Sequence, residues 1–263
     1  MNRFVLLLLI FLVLFSCGPK PEQEVIPPAI GSPAAIAEAL KIIEKSITSG
    51  AQSVSIVISK PGYGKQSLSG NIFYDNGRYY FKAEATLGKD AAKALIGDGR
   101  TTAYSPVNNV YYRERSNEYK GQWGVSIEEV LNLIMGKYGF FRGENSYVGM
   151  VEGFYFYKLI TEDYVKKITV RPETKNVTGI RYEPSKRAGE TDVVDVSFSD
   201  FSGYLDGYRP RKTVISVRDE NITIEINVKS EKLNQQLPDD IFRLEIPDDA
   251  QEVSPSWFWE LDY

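Results

Sequence analysis

The chain offers few side chains for covalent chemistry. Its 263 residues contain no His and a single Cys, Cys17. Without His there are no imidazole general bases and no Ser-His or Cys-His nucleophile pairs, and one Cys cannot form an intramolecular disulfide or a zinc site built on Cys and His. We therefore expect a protein that is not an enzyme and that needs no cofactor.

Two pairs of adjacent carboxylates are the remaining candidates for acid–base chemistry or Ca²⁺ binding. They are Asp239-Asp240 and Asp248-Asp249. Adjacent residues on a strand point to opposite faces, and Ca²⁺ needs several converging oxygens. Because both pairs follow a Pro, solvated turn charges explain them, and a hydrolase built on carboxylates has weak support. We predict no catalytic residue and no metal site.

The charge balance excludes one class of partner. The chain carries 31 Lys and Arg against 35 Asp and Glu, a formal net charge of −4, without clustered basic stripes. A protein that holds a phosphate backbone needs such a basic surface. We expect no nucleic-acid partner.

The N-terminus has the features of an export signal. Arg3 precedes an unbroken apolar run, Phe4 to Phe15, that is too short for the roughly 20 residues needed to cross a bilayer as a helix. The following Leu14-Phe15-Ser16-Cys17-Gly18 resembles the bacterial lipobox, in which the Cys is acylated before cleavage. This predicts a signal peptide over residues 1–16 and lipidation of Cys17. The alternative is an ordinary secretory signal whose apolar run happens to end at a Cys.

Lipidation would fix the location of the mature chain. Each buried methylene contributes about 0.8 kcal/mol, so two or three acyl chains make a durable anchor. Residues 17–32 then form the acylated Cys and a Pro-rich tether that spans at most roughly 50 Å. Gly18 is not the Asp that signals inner-membrane retention in enterobacterial lipoproteins. By that resemblance we expect an outer-membrane protein, lipid-anchored and facing the periplasm.

Two helices are predicted from capping residues and apolar spacing. The first has Ser32 as N-cap, Pro33 at its first position and Gly50 just past its end. The second begins after Ser126, which forms a capping box with Glu129, and stops at Gly136. Their apolar stripes consist of Ile36, Leu40, Ile43 and Ile47 in the first helix, and Ile127, Val130, Leu131 and Ile134 in the second.

The rest of the chain has the period of two that is typical of strands. We predict strands over residues 53–59, 67–74, 78–85, 100–105, 109–113, 154–161, 167–171, 177–182, 193–198, 212–218 and 221–229. Short connectors such as Asp75-Asn76-Gly77 and Gly97-Asp98-Gly99 favour antiparallel hairpins. A sheet of about ten strands accumulates twist and must curl, split or close. The predicted fold is α+β, mainly antiparallel β, with residues 33–253 in one incomplete, half-open curled barrel whose helices cover an apolar cavity.

Four segments of this domain form an ordered series. The first is Thr86-Leu87-Gly88, and the second runs from Ile96-Gly97-Asp98-Gly99 to Tyr111-Tyr112. The third is the predicted helix from Ser126 to Gly136. The fourth joins Gly207-Tyr208-Arg209-Pro210 to Leu237-Pro238-Asp239-Asp240-Ile241-Phe242 and Ile246-Pro247. In this order, behind a lipobox, they resemble the LolA/LolB superfamily of periplasmic lipoprotein carriers and acceptors, in particular its lipid-anchored LolB-like branch.

The resemblance implies a function and a set of site residues. It implies noncovalent binding of lipoprotein acyl chains, acceptance of lipoproteins from a periplasmic carrier protein, and their insertion into the outer membrane. Leu87 and Gly88 correspond to an exposed loop that contacts the membrane, although Leu87 could instead fold back onto the sheet. The predicted lid and lipid-cavity residues are Ile36, Leu40, Ile43, Ile47, Val130, Leu131 and Ile134, which ordinary helix packing would also explain.

Two further questions stay open at this level. The same fold could serve as a scaffold or sensor module that holds a protein partner. The C-terminal tail, residues 254–263, contains Trp257-Phe258-Trp259, which could dock on the barrel or meet the membrane interface. We expect the protein to be a monomer.

Overall fold

Fourteen strands form one sheet in the computed structural model, which describes residues 31–85, 88–115, 125–140, 145–161, 164–185 and 193–255. The predicted signal peptide, Cys17, Leu87 and the Trp257-Phe258-Trp259 tail lie outside the described residues. Residues from Gly31 to Tyr263 make up one compact unit. The strands are β1 (Ser49–Lys60), β2 (Gly64–Asp75), β3 (Arg78–Glu84), β4 (Asp90–Gly97), β5 (Arg100–Ser105), β6 (Val110–Arg115), β7 (Ser146–Val151), β8 (Phe154–Ile160), β9 (Tyr164–Arg171), β10 (Asn176–Pro184), β11 (Val194–Tyr204), β12 (Gly207–Val217), β13 (Ile222–Leu233) and β14 (Gln251–Glu252).

The sheet is antiparallel and unclosed, as predicted. Its strand order is β14-β6-β5-β4-β3-β2-β1-β13-β12-β11-β10-β9-β8-β7, and only the two-residue β14 pairs in parallel with its neighbour. Three of these strands, β4, β7 and β14, were not predicted from the sequence. The turn predictions are confirmed: Asn76 and Gly77 have φ values of 46° and 92°, and Asp98 and Gly99 have values of 52° and 70°. Two consecutive positive φ values give the hairpin turn whose twist matches that of the flanking strands.

Two helices lie on the concave side of the sheet. Helix α1 spans Pro33–Ser46, and the Ser32 side chain accepts a hydrogen bond from Ala35 N at 3.3 Å. It ends before the predicted Gly50, because Ser49 and Gly50 already pair with β2. Helix α2 spans Ile127–Ile134 with Ser126 as its cap, and Gly136, at a φ of 73°, follows its end.

Contacts of α2 demonstrate that the sheet curls. Glu129 accepts hydrogen bonds from Lys166 on β9 and Tyr182 on β10, whereas Asn132, one turn along the helix, accepts one from Tyr79 on β3. Six strands separate β3 from β9 in the sheet order. In a flat sheet these two strands would lie roughly 34 Å apart at about 4.8 Å per strand. A single helical turn can reach both only because the sheet wraps around it, which gives the predicted half-open barrel.

Candidate functional site

The apolar stripe of α1 faces the interior. Ile36, Leu40, Ile43 and Ile47 are only 1–5% exposed. A Cβ built on Gly207, the first residue of β12, would lie 2.5 Å from Ile43 Cδ1, so the helix lies almost against that strand. The predicted lid residues of α1 therefore cover the concave side of the sheet, and their role in lipid binding stays a prediction.

Helix α2 fills the interior together with the residues that follow it. Every residue from Leu131 to Phe140 is buried, and Leu133 and Met135 have no exposed surface. Of the predicted lid residues here, Leu131 and Ile134 are 3–4% exposed and Val130 is half-buried. We refer to residues 127–140 as the plug segment.

Side chains of the sheet pack closely against the plug segment. Ile72, Ile168 and Val170 of the sheet have no exposed surface and belong to the same apolar cluster as Leu133 and Met135. Side chains with no exposed surface adjoin other protein atoms and not an open space. The space between these residues of the sheet and the plug segment is thus filled by the protein's own side chains, and the acyl-binding cavity stays a prediction.

The interior also contains charged groups. Arg209 on β12 is 1% exposed and donates hydrogen bonds to Glu231 Oε2 at 2.7 Å and to the Met135 carbonyl at 2.8 Å. Gln52 donates to the same Glu231 oxygen at 3.2 Å. Arg209 thereby holds the C-terminal end of α2 against the sheet, and the glutamate balances its charge.

A second group of charges lies between α1 and the plug segment. Glu44 is 1% exposed and its Oε1 accepts a hydrogen bond from Tyr138 N at 2.8 Å. The neighbouring Lys137 Nζ donates to the Tyr74 hydroxyl at 2.5 Å. Burial lowers the pKa of Lys137 to about 8, and nearby Glu44 opposes this shift while Arg209 adds to it. Glu44 is the buried charge that α1 contributes to this contact.

The N-terminal end of the plug segment is held by a third charged contact. Lys166 Nζ lies 2.5 Å from Glu129 Oε1, and the Lys166 side chain is 2% exposed. The Tyr182 hydroxyl donates to the same oxygen at 2.8 Å. Both ends of α2 are therefore attached to the sheet by charge-assisted hydrogen bonds, which are stronger than neutral ones.

Neutral groups attach the two ends of α1. The Tyr155 and Tyr157 hydroxyls donate to the carbonyls of Gly31 and Pro33 at 3.0 and 2.7 Å. At the other end, Asn234 Nδ2 donates to the Ser46 carbonyl at 2.8 Å. These bonds fix where α1 begins and ends, but unlike those of the plug segment they involve no charge.

The sequence interpretation missed these charged residues, although each has a positional signal. Glu44 follows Leu40 by four residues on the apolar stripe of α1. Lys166 shares its strand face with the buried Ile168 and Val170, and Arg209 shares its face with the buried Thr213 and Ile215. The period of two therefore predicts that the lysine and the arginine point inward. It does not predict their partners.

The structure describes only part of the predicted membrane-contact loop. Gly88 is exposed with a φ of 71°, and Gly88 N donates to the Ala85 carbonyl at 3.2 Å. At the base of the loop, Lys82 and Lys93 both lie 2.8 Å from carboxylate oxygens of Asp90. The described residues on either side of Thr86 and Leu87 are thus held by these contacts, and the membrane contact stays a prediction.

The remaining candidates are a metal site, the carboxylate pairs and a membrane-spanning helix. Within the described ranges, no group of His, Cys, Asp or Glu side chains could hold a metal ion. Asp239, a member of one adjacent carboxylate pair, is 86% exposed and bonds to Arg78. Among the described residues, no helix has the length and apolar character of a membrane span.

Comparison with known proteins identifies the fold. No protein-family model and no curated protein matches the sequence. A LolA superfamily protein from Nitrosomonas europaea is similar in structure, with a TM-score of 0.59 at 15% identity over 80% of this chain and 97% of that one. A putative outer membrane lipoprotein-sorting protein domain from Vibrio parahaemolyticus has a TM-score of 0.56 at 11% identity over 79% and 94% of the two chains. A DUF1329 family protein from Desulfovibrio piger has a TM-score of 0.56 at 14% identity over 80% and 95%. This chain therefore has the fold of LolA superfamily proteins, the superfamily that its sequence motifs resemble.

Proposed function

We propose that the protein is a LolB-like, lipid-anchored lipoprotein of the outer membrane that binds lipoprotein acyl chains noncovalently between its sheet and its helices. The observation that carries the proposal is the apolar face of α1, closed over the concave side of an unclosed sheet. The structural similarity to the Vibrio protein, which is named as a putative outer membrane lipoprotein-sorting protein domain, supports a role in lipoprotein binding. Cys17 would supply the anchor, and a periplasmic carrier protein would deliver the cargo.

Acyl binding would replace one set of apolar contacts with another. When α1 moves away, Ile36, Leu40, Ile43 and Ile47 lose their contacts with the interior. An acyl chain that takes their place contributes about 0.8 kcal/mol for each buried methylene. The balance between these two terms lets the site hold an acyl chain and still release it, which transfer requires.

The polar contacts favour α1 over the plug segment as the moving part. Both ends of α2 are held by charged groups, Lys166 with Glu129 and Arg209 with the Met135 carbonyl. The hydrogen bonds at the two ends of α1 are neutral, and Glu44 adds a charged contact with Tyr138 N. Withdrawing the plug segment would break this Glu44 contact in addition to those of Glu129 and Arg209.

A disulfide lock tests this movement. Ile43 contacts the position of Gly207, so the pair Ile43→Cys/Gly207→Cys can join α1 to β12. Residues 18–263 contain no other Cys and retain the compact unit that begins at Gly31. We expect a fluorescent fatty-acyl probe to bind this variant saturably when reduced and to bind at least tenfold more weakly when oxidised.

The control is Ile43→Cys alone, which cannot form an intramolecular disulfide because residues 18–263 contain no other Cys. It should bind the probe equally in both redox states. Absence of saturable probe binding by the unmodified residues 18–263 would refute acyl binding itself. Equal binding by the oxidised and reduced lock would refute the movement of α1.

The second candidate function is a scaffold or sensor module for a protein partner. The charges buried beneath the helices, Glu44, Lys137 and Arg209, favour it, because they specify one closed arrangement of the interior. Depletion in the host distinguishes the two functions. Loss of an acceptor should mislocalise many lipoproteins, whereas loss of a scaffold should leave them in place.

A further inference from the structure

The convex face at one edge of the sheet combines apolar and basic side chains. In β8, Tyr155, Tyr157 and Leu159 point to the buried interior, so the alternate residues Phe154, Phe156, Lys158 and Ile160 point outward. Val151 pairs with Phe154, and Lys167 pairs with Lys158, which places both on the same side. We call this surface the outer edge face, defined by Val151, Phe154, Phe156, Lys158, Ile160 and Lys167.

Two apolar residues of this face are largely exposed. Ile160 is 66% exposed and Val151 is 59% exposed, and the outward-facing Phe154 and Phe156 are half-buried. Tyr147 and Met150 of β7 are also exposed, but they pair with Tyr157 and Tyr155 and so lie on the other face of the sheet. Exposed apolar side chains beside basic ones are typical of an interaction surface.

The charge of the three edge strands has one sign. β7, β8 and β9 contain four basic residues and no Asp or Glu. The Lys166 side chain lies on the concave side of the sheet, where it contacts Glu129. The other three basic side chains, Lys158, Lys167 and Arg171, lie on the convex side. Lys158 and Lys167 lie directly opposite each other, and like charges in that position are destabilising. Glu183 Oε1 lies 2.7 Å from Lys167 Nζ and offsets part of this repulsion, and the turn between β7 and β8 adds the exposed Glu152. An anionic partner would offset the remainder.

The chain enters the folded unit beside this edge. The Gly31 carbonyl accepts a hydrogen bond from Tyr155 of β8. Fourteen residues lead from Cys17 to Gly31, and they span at most about 43 Å at ~3.1 Å per residue. A lipid anchor at Cys17 would therefore hold this edge of the sheet within about 43 Å of the bilayer surface.

We propose that the outer edge face rests on the anionic surface of the membrane. Its Lys and Arg side chains suit lipid phosphates, and its Phe, Val and Ile side chains suit the boundary between headgroups and acyl chains. This inference rests on the membrane location in the proposed function, but it does not depend on acyl binding in the interior. It assigns the standing contact with the membrane to β7–β9 and leaves the loop of Leu87 and Gly88 for transfer.

Vesicle flotation of residues 18–263 tests the proposal. We expect binding to vesicles with 30% phosphatidylglycerol and little binding to phosphatidylcholine alone. Lys158→Gln/Lys167→Gln should weaken binding about 30-fold, which corresponds to ~1 kcal/mol for each basic residue near an anionic surface. The control, Lys60→Gln/Lys65→Gln, makes the same charge change at the exposed β1–β2 turn and should bind like the unmodified chain.

A second pair of variants tests the apolar contribution. Ile160→Ser should weaken vesicle binding more than Val107→Ser, the same kind of apolar-to-polar change at a residue that is 59% exposed on the β5–β6 turn. Acyl-probe binding, which tests the proposed function, should be the same in all four variants.

Three results would overturn the proposal. They are absence of binding to anionic vesicles, equal losses in the face and control variants, and a dimer in solution that Ile160→Ser abolishes. The last result would assign the outer edge face to a second copy of the chain.

Discussion

Replacing Arg209 with Met should cost about 3 kcal/mol of unfolding free energy. The substitution leaves the Met135 carbonyl without its partner and leaves the Glu231 carboxylate with Gln52 at 3.2 Å. Removing one member of a buried ion pair typically costs 3–5 kcal/mol. The Glu231 side chain is 21% exposed, and this partial solvation places the cost near the lower end.

The double variant Arg209→Met/Glu231→Met should recover most of that loss. It removes both charges together, and apolar replacement of a complete buried pair is often neutral or stabilising. In addition, Arg209 Nε is buried and has no hydrogen-bond partner in the described part of the structure, so the native pair already includes an unsatisfied donor. We expect the double variant to lie within about 1 kcal/mol of the unmodified chain.

Urea unfolding of residues 18–263 measures these differences. The matched control is Arg211→Met on the same strand, where the half-buried Arg211 donates to the carbonyls of Val228 and Lys229. It should cost about 1 kcal/mol, as is typical for loss of a hydrogen bond that leaves no buried charge without its partner. The reasoning is wrong if Arg209→Met costs no more than the control, or if the double variant is as unstable as the single one.

Three further predictions concern the helices and the loop. Burial lowers the pKa of Lys137 to about 8 from 10.5, so above pH 8 the unfolded chain binds more protons than the folded one and stability should rise from about pH 8 towards pH 10. Lys137→Met should remove this rise in urea midpoints measured at pH 7, 8, 9 and 10. A rise that stays unchanged in the variant would contradict the prediction. Glu44→Leu removes the carboxylate that accepts a hydrogen bond from Tyr138 N at 2.8 Å, and this loss should cost about 1–3 kcal/mol of unfolding free energy. The variant should therefore take up the acyl probe faster in stopped-flow measurements. The control, Glu38→Leu on the exposed side of α1, should leave the rate unchanged. Leu87→Glu should preserve folding and probe binding but slow transfer to liposomes, and unchanged transfer would refute a membrane contact by that loop.

Local signals explain why much of the fold could be predicted. Ser32 and Ser126 cap the two helices at the predicted positions, and Asn76-Gly77 forms the predicted hairpin turn. These features depend on contacts within a few residues, so the sequence carries them directly. The burial of the α1 stripe follows in the same way, because its spacing leaves one face for the interior.

Strands that lack local signals could not be predicted. β4, with the sequence DAAKALIG, contains a single β-branched residue and three Ala, so its propensity does not favour a strand. It is a strand because β3 and β5 pair with it on both sides. β7 likewise depends on its pairing with β8, since Gly149 and the register shift between Tyr147 and Gly149 break its alternation.

The sequence by itself determined the antiparallel strands, the capped helices and the apolar face of α1. The tertiary structure alone decided that charges are buried beneath that face and which groups compensate them. Arg209 meets the Met135 carbonyl across 74 positions of the chain, and Lys166 meets Glu129 across 37. The strand period can turn a charged side chain inward, but burial is tolerable only where an opposite charge or a carbonyl lies within about 3 Å. Curling of the sheet around the plug segment supplies those partners, and no local pattern encodes that distance.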